Sequence, residues 1–450
     1  MNDPSRRTEL TADLCGASAE LARGSVSSRE LTDSCLDAIA LRDGLLCSFT
    51  HVDAESALAQ AAASDIRRTR GQSLGPLDGI PIAIKANIAV ADWPLTAGMR
   101  WRAAMLASGD AFVVKRLQDA GAVLLGLTNM DEGALGAEGA NPWFGTVHNP
   151  HRRDFSAGGS SAGSGAALAA GFCFGALGTD TIGSLRIPAS LCGVAALKPS
   201  FGLVSMGDVV PVHLRFDHVG PMARHAADLA LLLPAIAGFD PHCRVSTRID
   251  LAPPRGLDAG RRIGFLTGLE QFQITPAVLH AYNDAIARLR ERGVALNHLD
   301  ASRWDIARLR RAVLTLCEHE MWRTHGERST REPEQYSDSL RAFIRYGGRL
   351  GAEELAAAEA RIARFYTEWM TAMTPFEAVL LPCTASAAFA HGDRPPHNTA
   401  DLTTLASAAG LPALAWPARV AAGSLPIGLQ LIGRTGSDLD LIQIAADLSA

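Results

Sequence analysis

The sequence predicts an α/β fold: a sheet covered by helices, in one large domain with a helical insertion. Three observations carry this reading. Short apolar runs of strand type alternate with helical patterns along the first half of the chain. Apolar residues make up 48% of the 450 and charged residues 20%, which supplies a large core and excludes a disordered chain. No Pro/Ser linker and no repeat of ~20–50 residues divides the sequence.

The elements follow in chain order. Residues 1–70 read as helical. Ser27 and Glu30 form a capping box, after which Leu31, Cys35, Leu36 and Ile39 recur at helical spacing. Ala54 to Arg70 is an Ala-rich helix with a basic end that suits its C-terminus. The run Gly79-Ile80-Pro81-Ile82-Ala83-Ile84 is strand-like and stops abruptly at Lys85. Val113 to Ala120 reads as a helix and Ala122 to Gly126 as the next strand. A Gly/Ser-rich loop, Phe155 to Gly165, opens an Ala-rich helix; Phe174 to Thr179 is a strand and Thr179 to Pro188 a second small-residue turn. Residues 71–235 are therefore the core. From 241 to 395 the chain is more polar and helical, as in Ala277 to Arg292 and Leu350 to Tyr366, with a strand at Phe376 to Pro382. Residues 396–450 return to the sheet through Ser424 to Gly433, and the chain stops at Ala450 inside an expected helix.

Charge and cysteine usage narrow the function classes. Lys+Arg number 42 against 47 Asp+Glu, a net charge of -5, whereas a protein that neutralises nucleic-acid phosphates should be basic. The opening M-N-D-P-S-R-R-T-E-L has no apolar core of a secretory signal. The weakly polar run Gly165 to Gly178 is too short to span about 30 Å of hydrocarbon. Eight cysteines, Cys15 to Cys383, form no C-x-x-C pair and are expected as reduced thiols. These features place the protein in the cytoplasm, with no membrane and no nucleic-acid partner.

Three places carry candidate chemistry. Lys85 is either a solvated lysine at a strand end or a lysine at the mouth of a buried strand, where loss of hydration lowers its pKa and makes a usable base. Gly158-Gly159-Ser160-Ser161-Ala162-Gly163-Ser164-Gly165 fits a helix-start turn, a phosphate cradle without its G-K-[ST] ending, or a G-x-S-x-G elbow. The elbow needs a strand before it, and His151 to Ser156 is a poor one. The turn Gly178 to Ser190 brings a second serine, Ser184, among backbone N–H groups of Thr181 to Ser184 that suit an anion nest, with Asp180 and Arg186 spaced to brace it. His319-Glu320-Met321-Trp322-Arg323 lacks the second histidine of a zinc pair, so no metal site is read, and no histidine is singled out for a triad.

Lys85 after G-I-P-I-A-I, then G-G-S-S-A-G-S-G-A-A, then G-T-D-T-I-G-S-L-R-I-P-A-S resembles the amidase signature family of serine hydrolases. The resemblance extends to T-N-M-D-E (Thr128 to Glu132), D-H-V-G-P-M-A-R (Asp217 to Arg224) and L-P-I-G-L-Q-L-I-G near the end. It implies a mixed, twisted sheet with helices on both faces. It also implies Ser184 as nucleophile, Ser160 as bridging serine after a cis Gly159–Ser160 peptide, and Lys85 as base. Thr181, Ile182, Gly183 and Ser184 would supply the oxyanion hole, with Gly159, Asp180 and Arg186 as support and Met130 and Ile182 toward the substrate. No cofactor is implied.

Two positions depart from the family pattern. Lys85-Ala86 stands where Lys-Asp is usual, so Ala86 removes a carboxylate beside the base. Ile182 stands where Gly is usual, keeping an N–H but filling space beside the acyl pocket. The resulting expectation is an amidohydrolase that cleaves the C–N bond of a small carboxamide through an acyl-serine and releases ammonia or an amine. The alternatives are the glutaminase component of a multi-subunit amidotransferase, and an allophanate- or carboxybiuret-type hydrolase of urea-like amides. An esterase, a non-catalytic binding protein and a homodimer are also weighed. Arg323, Arg341 and Arg345 are read as solvated helix charges in preference to a substrate-carboxylate clamp.

Overall fold

The computed structural model describes residues 13–449; the opening segment read for a leader and Ala450 lie outside the described residues. In chain order the strands are β1 Phe49–Val52, β2 Pro81–Lys85, β3 Val123–Thr128, β4 His148–Asn149, β5 Arg152–Ser156, β6 Gly175–Asp180 and β7 Ala195–Lys198. They continue as β8 His218–Ala223, β9 Arg262–Thr267, β10 Ala295–Asp300, β11 Ala378–Pro382, β12 Ala413–Pro417 and β13 Gly428–Gly433. Eleven of them form one sheet in the order β1-β3-β2-β6-β8-β7-β12-β13-β11-β9-β10; β4 and β5 pair separately. Parallel pairs (β2 with β3 and β6, β9 with β10 and β11) sit beside antiparallel ones (β6 with β8, β12 with β13), so the sheet is mixed, with helices flanking it.

The central strands are apolar along most of their length because both faces are covered: β2, β3, β6 and β8 are buried at every residue. The helix Ser28–Arg42 starts on the expected Ser27–Glu30 capping box and buries Leu31, Cys35 and Ile39. Ala54–Thr69 is capped by the Asp53 side chain and ends on Arg67 and Arg68. No helix of the described residues is long and apolar enough to cross a membrane.

Three readings change. The first 70 residues are not all helix, because β1 lies between the two helices and pairs antiparallel with β3. Its four residues, F-T-H-V, are too few to break a helical texture. The segment 241–395, read as helical with one strand, also contributes β9 and β10. The β10 residues Ala295, Asn297, His298 and Asp300 are polar or small, and the strand lies at the sheet edge, while Gly264 interrupts β9 where its backbone packs on the Phe376 ring. Neither strand therefore shows a continuous apolar run. The Arg152–Ser156 stretch, expected to be a poor strand, is β5; it lies outside the main sheet, paired with β4 and bridged antiparallel through Phe155 to Ala390, and its Arg152, Arg153 and Asp154 are exposed.

The parallel pairing of β2 with β6 sets Ile82 opposite Gly175 and Ile84 opposite Leu177. Lys85 and Thr179-Asp180 therefore end adjacent strands at one edge of the sheet, the carboxyl edge where α/β folds build their sites.

Candidate active site

Lys85 is fully buried, and its Nζ donates to three hydroxyls: Ser160 Oγ at 2.8 Å, Ser161 Oγ at 2.9 Å and Thr179 Oγ1 at 2.7 Å. The solvated reading of this lysine is thereby excluded. An ammonium would use all three N–H bonds here, whereas a neutral amine donates two and accepts one. Proton counting restricts which hydroxyl can donate back. Ser161 Oγ already donates to the Thr179 carbonyl at 3.1 Å and accepts from Thr179 N–H at 3.2 Å, so its proton is committed. Ser160 Oγ has Lys85 as its hydrogen-bond partner among the described residues, so its proton is free to point at the amine.

The loop that carries these serines leads directly into the helix Ala162–Ala169, which fits the helix-start reading. The Gly159–Ser160 peptide is cis. Gly159 is required sterically, since a Cβ there would fall 1.9 Å from Asp131 Oδ2. Both serines and the first helical turn are buried.

Ser184 follows in the next turn and is half-buried. Its carbonyl accepts Ser161 N–H at 3.1 Å, which ties the two serine-bearing turns together. Its hydroxyl makes no hydrogen bond among the described residues, including none to Ser160. Hydrogen bonds between catalytic groups are commonly long or misaligned until substrate is bound.

The turn itself is organised by Asp180. This carboxylate accepts Gly183 N–H at 2.7 Å and Leu185 N–H at 3.2 Å, and pairs with Arg186 through Nε at 2.9 Å and Nη2 at 3.0 Å. Both charged side chains are completely buried. Arg186 then reaches the Thr403 carbonyl, Gln430 Oε1 and Ser407 Oγ, fastening the turn to the helix Asp401–Ala409 and to β13. Gly183 adopts φ +140° and lies against Thr403, so glycine is needed on both counts. The helix Arg186–Cys192 begins inside the stretch expected as a turn, because the Asp180 brace satisfies the Gly183 and Leu185 amides just before its first turn. One oxyanion candidate is corrected: the Gly183 N–H is already taken by Asp180. Thr181, Ile182 and Ser184 retain N–H groups without a partner among the described residues.

Burial removes the hydration of the Lys85 ammonium and pulls its pKa down to about 7, against the opposing pull of Asp131, Asp180 and Asp217. Burial also pushes Asp131 up to about 7 and Asp217 up to about 6. Burial would raise Asp180 too, but Arg186 overrides it and holds the carboxyl at about 2. Ala86 is buried in the core, with its N–H on the Thr128 carbonyl. The site thus keeps three acids in the field of the lysine without one at that position.

Ile182 is half-buried, and its carbonyl accepts the Thr403 hydroxyl. Met130 is fully buried, its N–H on Asn129 Oδ1 and its carbonyl on Asn141 Nδ2. Arg323 pairs with Glu320 at the surface and Arg345 is exposed, as the solvated reading expects; Arg341 departs from it, being half-buried, with Asp338 as its acid and a buried Nε that has no partner among the described residues. The sequence reading missed Ser161 and Thr179 as partners of Lys85, and Asp131 and Asp217 as its acids. Thr181 Oγ1 donates to Asp217 at 2.7 Å, which joins that acid to the serine turn. Both acids lie in segments quoted above, T-N-M-D-E and D-H-V-G-P-M-A-R, but nothing in their spacing points at a lysine 46 or 132 positions earlier.

Comparison with known proteins extends this picture. A family model described as Amidase matches residues 30–442. The A-type component of glutamyl-tRNA(Gln) amidotransferase from Chloroflexus aurantiacus is 36% identical over 463 residues, covering 95% of this chain and 94% of that protein. A solved structure of a vestigial protein complex, described as revealing the evolutionary origins of an s-triazine catabolic enzyme, superposes with a TM-score of 0.91 at 31% identity, covering 97% of this chain and 98% of its own. The native peptide amidase of Stenotrophomonas maltophilia superposes at 0.83 with 29% identity, covering 98% and 97%.

Proposed function

The chain belongs to the amidase family, an enzyme of amide C–N hydrolysis, and from that premise we propose that it is the amide-hydrolysing component of an amidotransferase-like assembly. The sequence reading placed a free-standing amidohydrolase first and such a component second; the similarity to the amidotransferase relative over nearly the whole chain reverses that order. With a net charge of -5 this chain is a poor surface for phosphates, so contact with any nucleic acid is assigned to its partners in the assembly. Its eight free cysteines suit the reducing cytoplasm.

The observation that carries the chemistry is a buried lysine in contact with the hydroxyl of Ser160. In the proposed mechanism Ser184 Oγ attacks the amide carbonyl carbon. Its proton passes to Ser160 and the Ser160 proton to neutral Lys85. The carbonyl oxygen gathers negative charge and is met by the free N–H groups of Thr181, Ile182 and Ser184. When the C–N bond breaks, the proton returns along the same path to the departing nitrogen, which leaves as ammonia or an amine. Water then cleaves the acyl-Ser184 ester by the same relay. Asp180 and Arg186 position the turn, Gly159 admits Asp131 beside Ser160, and Ile182 borders the acyl group; Met130, expected toward the substrate, is fully buried and supports the site from behind.

Purified by itself, the chain is expected to release ammonia from glutamine slowly, and a tagged copy taken from cells that make it natively should bring down further proteins in fixed ratio. A chain that purifies alone and turns over glutamine at full rate would overturn the assembly reading. Hydrolysis of a urea-like amide is the second reading, favoured by the likeness to the s-triazine-related structure.

Because the base must be neutral, kcat/KM is expected to rise with pH through the neutral range. The Asp131 anion stabilises the lysine proton, so Asp131→Asn lowers the Lys85 pKa and should move the rising limb to lower pH. A limb that stays in place or moves up would show that another group titrates.

Ile182 narrows the acyl side of the site. Ile182→Gly should widen the range of accepted amides, measured as ammonia release across acyl groups of graded size. An unchanged profile would remove Ile182 from the specificity account.

A further inference from the structure

A cavity of about 350 Å³ lies at the carboxyl edge of β2, between the loop that follows Lys85 and the helix Ile306–Arg331. Trp101, Arg102, Val210, His325 and Arg328 are among its walls; none of Ser160, Ser161, Thr179 or the 181–184 turn is. Its size falls within the range of small-molecule sites. Asn87 connects it to the serine site, because Asn87 Nδ2 donates both to Thr179 Oγ1 at 3.2 Å and to the Val210 carbonyl at 3.3 Å.

Two guanidiniums line the cavity, and one of them has no ion-pair partner among the described residues. Arg102 and Arg328 both lie over the Trp101 indole, at 5.1 and 4.5 Å from its centroid. Arg328 has a carboxylate partner, Glu332, at 2.9 Å. Arg102 has only the Leu95 carbonyl at 2.8 Å, and no acid within salt-bridge reach among the described residues. The acid among the lining residues, Asp208, is exposed to solvent. His325 is neutral at pH 7, since burial, then Arg102 and Arg328, push its pKa down to about 4. The interior therefore holds one uncompensated, half-buried guanidinium on an aromatic face.

We propose that this cavity binds the carboxylate of a small organic monoanion, with Arg102 as the principal contact and Arg328 beside it. A single guanidinium with no acid paired to it matches a carboxylate better than a doubly charged phosphate, and its planar fork matches it in shape. The carboxylate comes either from the distal end of the amide substrate or from a separate ligand that acts on Thr179 and Lys85 through Asn87. The first case rests on the amidase reading above; the second does not.

The test uses two amides of similar length, succinamate and butyramide, together with calorimetric titration of succinate. Wild type should favour succinamate in kcat/KM, and Arg102→Gln should reduce the succinamate-to-butyramide ratio by about 10- to 100-fold. Arg102→Lys, which keeps the charge but not the fork, should retain part of the ratio, and circular dichroism establishes that both variants are folded. A ratio that falls identifies the substrate's own carboxylate. A ratio that stays level while succinate heat is present in wild type and lost in Arg102→Gln identifies a separate ligand. No change in ratio and no succinate heat overturns the proposal. If wild type cleaves neither amide and no serine takes a fluorophosphonate label, the amidase reading fails instead, and the succinate titration still decides the cavity.

Discussion

Ser184→Ala is expected to lower kcat by about 10⁶-fold and to abolish covalent labelling by a fluorophosphonate. The loss is large because an alkyl side chain leaves nothing to form the acyl intermediate, while the remaining amides can still bind a polarised carbonyl. Ser160→Ala should cost less, about 10²–10⁴-fold, because it removes a proton carrier and spares the nucleophile. Lys85→Met should leave the label on Ser184 far slower to form, since the base that activates it is gone. Intact-mass spectrometry after labelling, with ammonia release as the rate assay, reads all three. Equal labelling of wild type and Ser184→Ala would place the nucleophile elsewhere, and Ser160 would be the first residue to examine.

Arg186→Leu is expected to lose about 3–5 kcal/mol of stability, the penalty for leaving a buried carboxylate without its partner. Asp180 has no access to water and is held at about 2 chiefly by Arg186; without that charge its burial raises the pKa and forces protonation or local unfolding. The same guanidinium satisfies Thr403, Ser407 and Gln430, so three further acceptors lose their donor. Urea unfolding should show the loss, and activity should fall with it, because the Gly183 and Leu185 amides that shape the Ser184 turn hang on Asp180. Arg186→Lys should recover little, since one ammonium cannot reproduce the fork and its outward contacts. A variant that unfolds at the wild-type midpoint would mean that the brace is dispensable and that the turn is held by Thr403 and the Ser161 contact.

The elements built from local signals are legible in the sequence. The capping box at Ser27, the apolar run into Lys85 and the small-residue loop before Ala162 each show their structure within a few residues, because caps, pleats and helix starts are satisfied by near neighbours. The three residues proposed for the chemistry are legible through the ordered motifs around them. The edge strands β1 and β10 are not: one is four residues long and the other half exposed, so neither needs the apolar pattern that marks a buried strand.

Sequence by itself determined the family, the strand that runs into Lys85 and the candidates Lys85, Ser160 and Ser184. Only the tertiary structure decided that Lys85 has no solvent, that Ser161 and Thr179 share its protons, that Asp131 and Asp217 act on it, and that the Gly183 amide is spent on Asp180. The division has a physical cause. A residue's type is local, but its charge state depends on which distant groups displace water around it, and those groups meet only when the sheet closes.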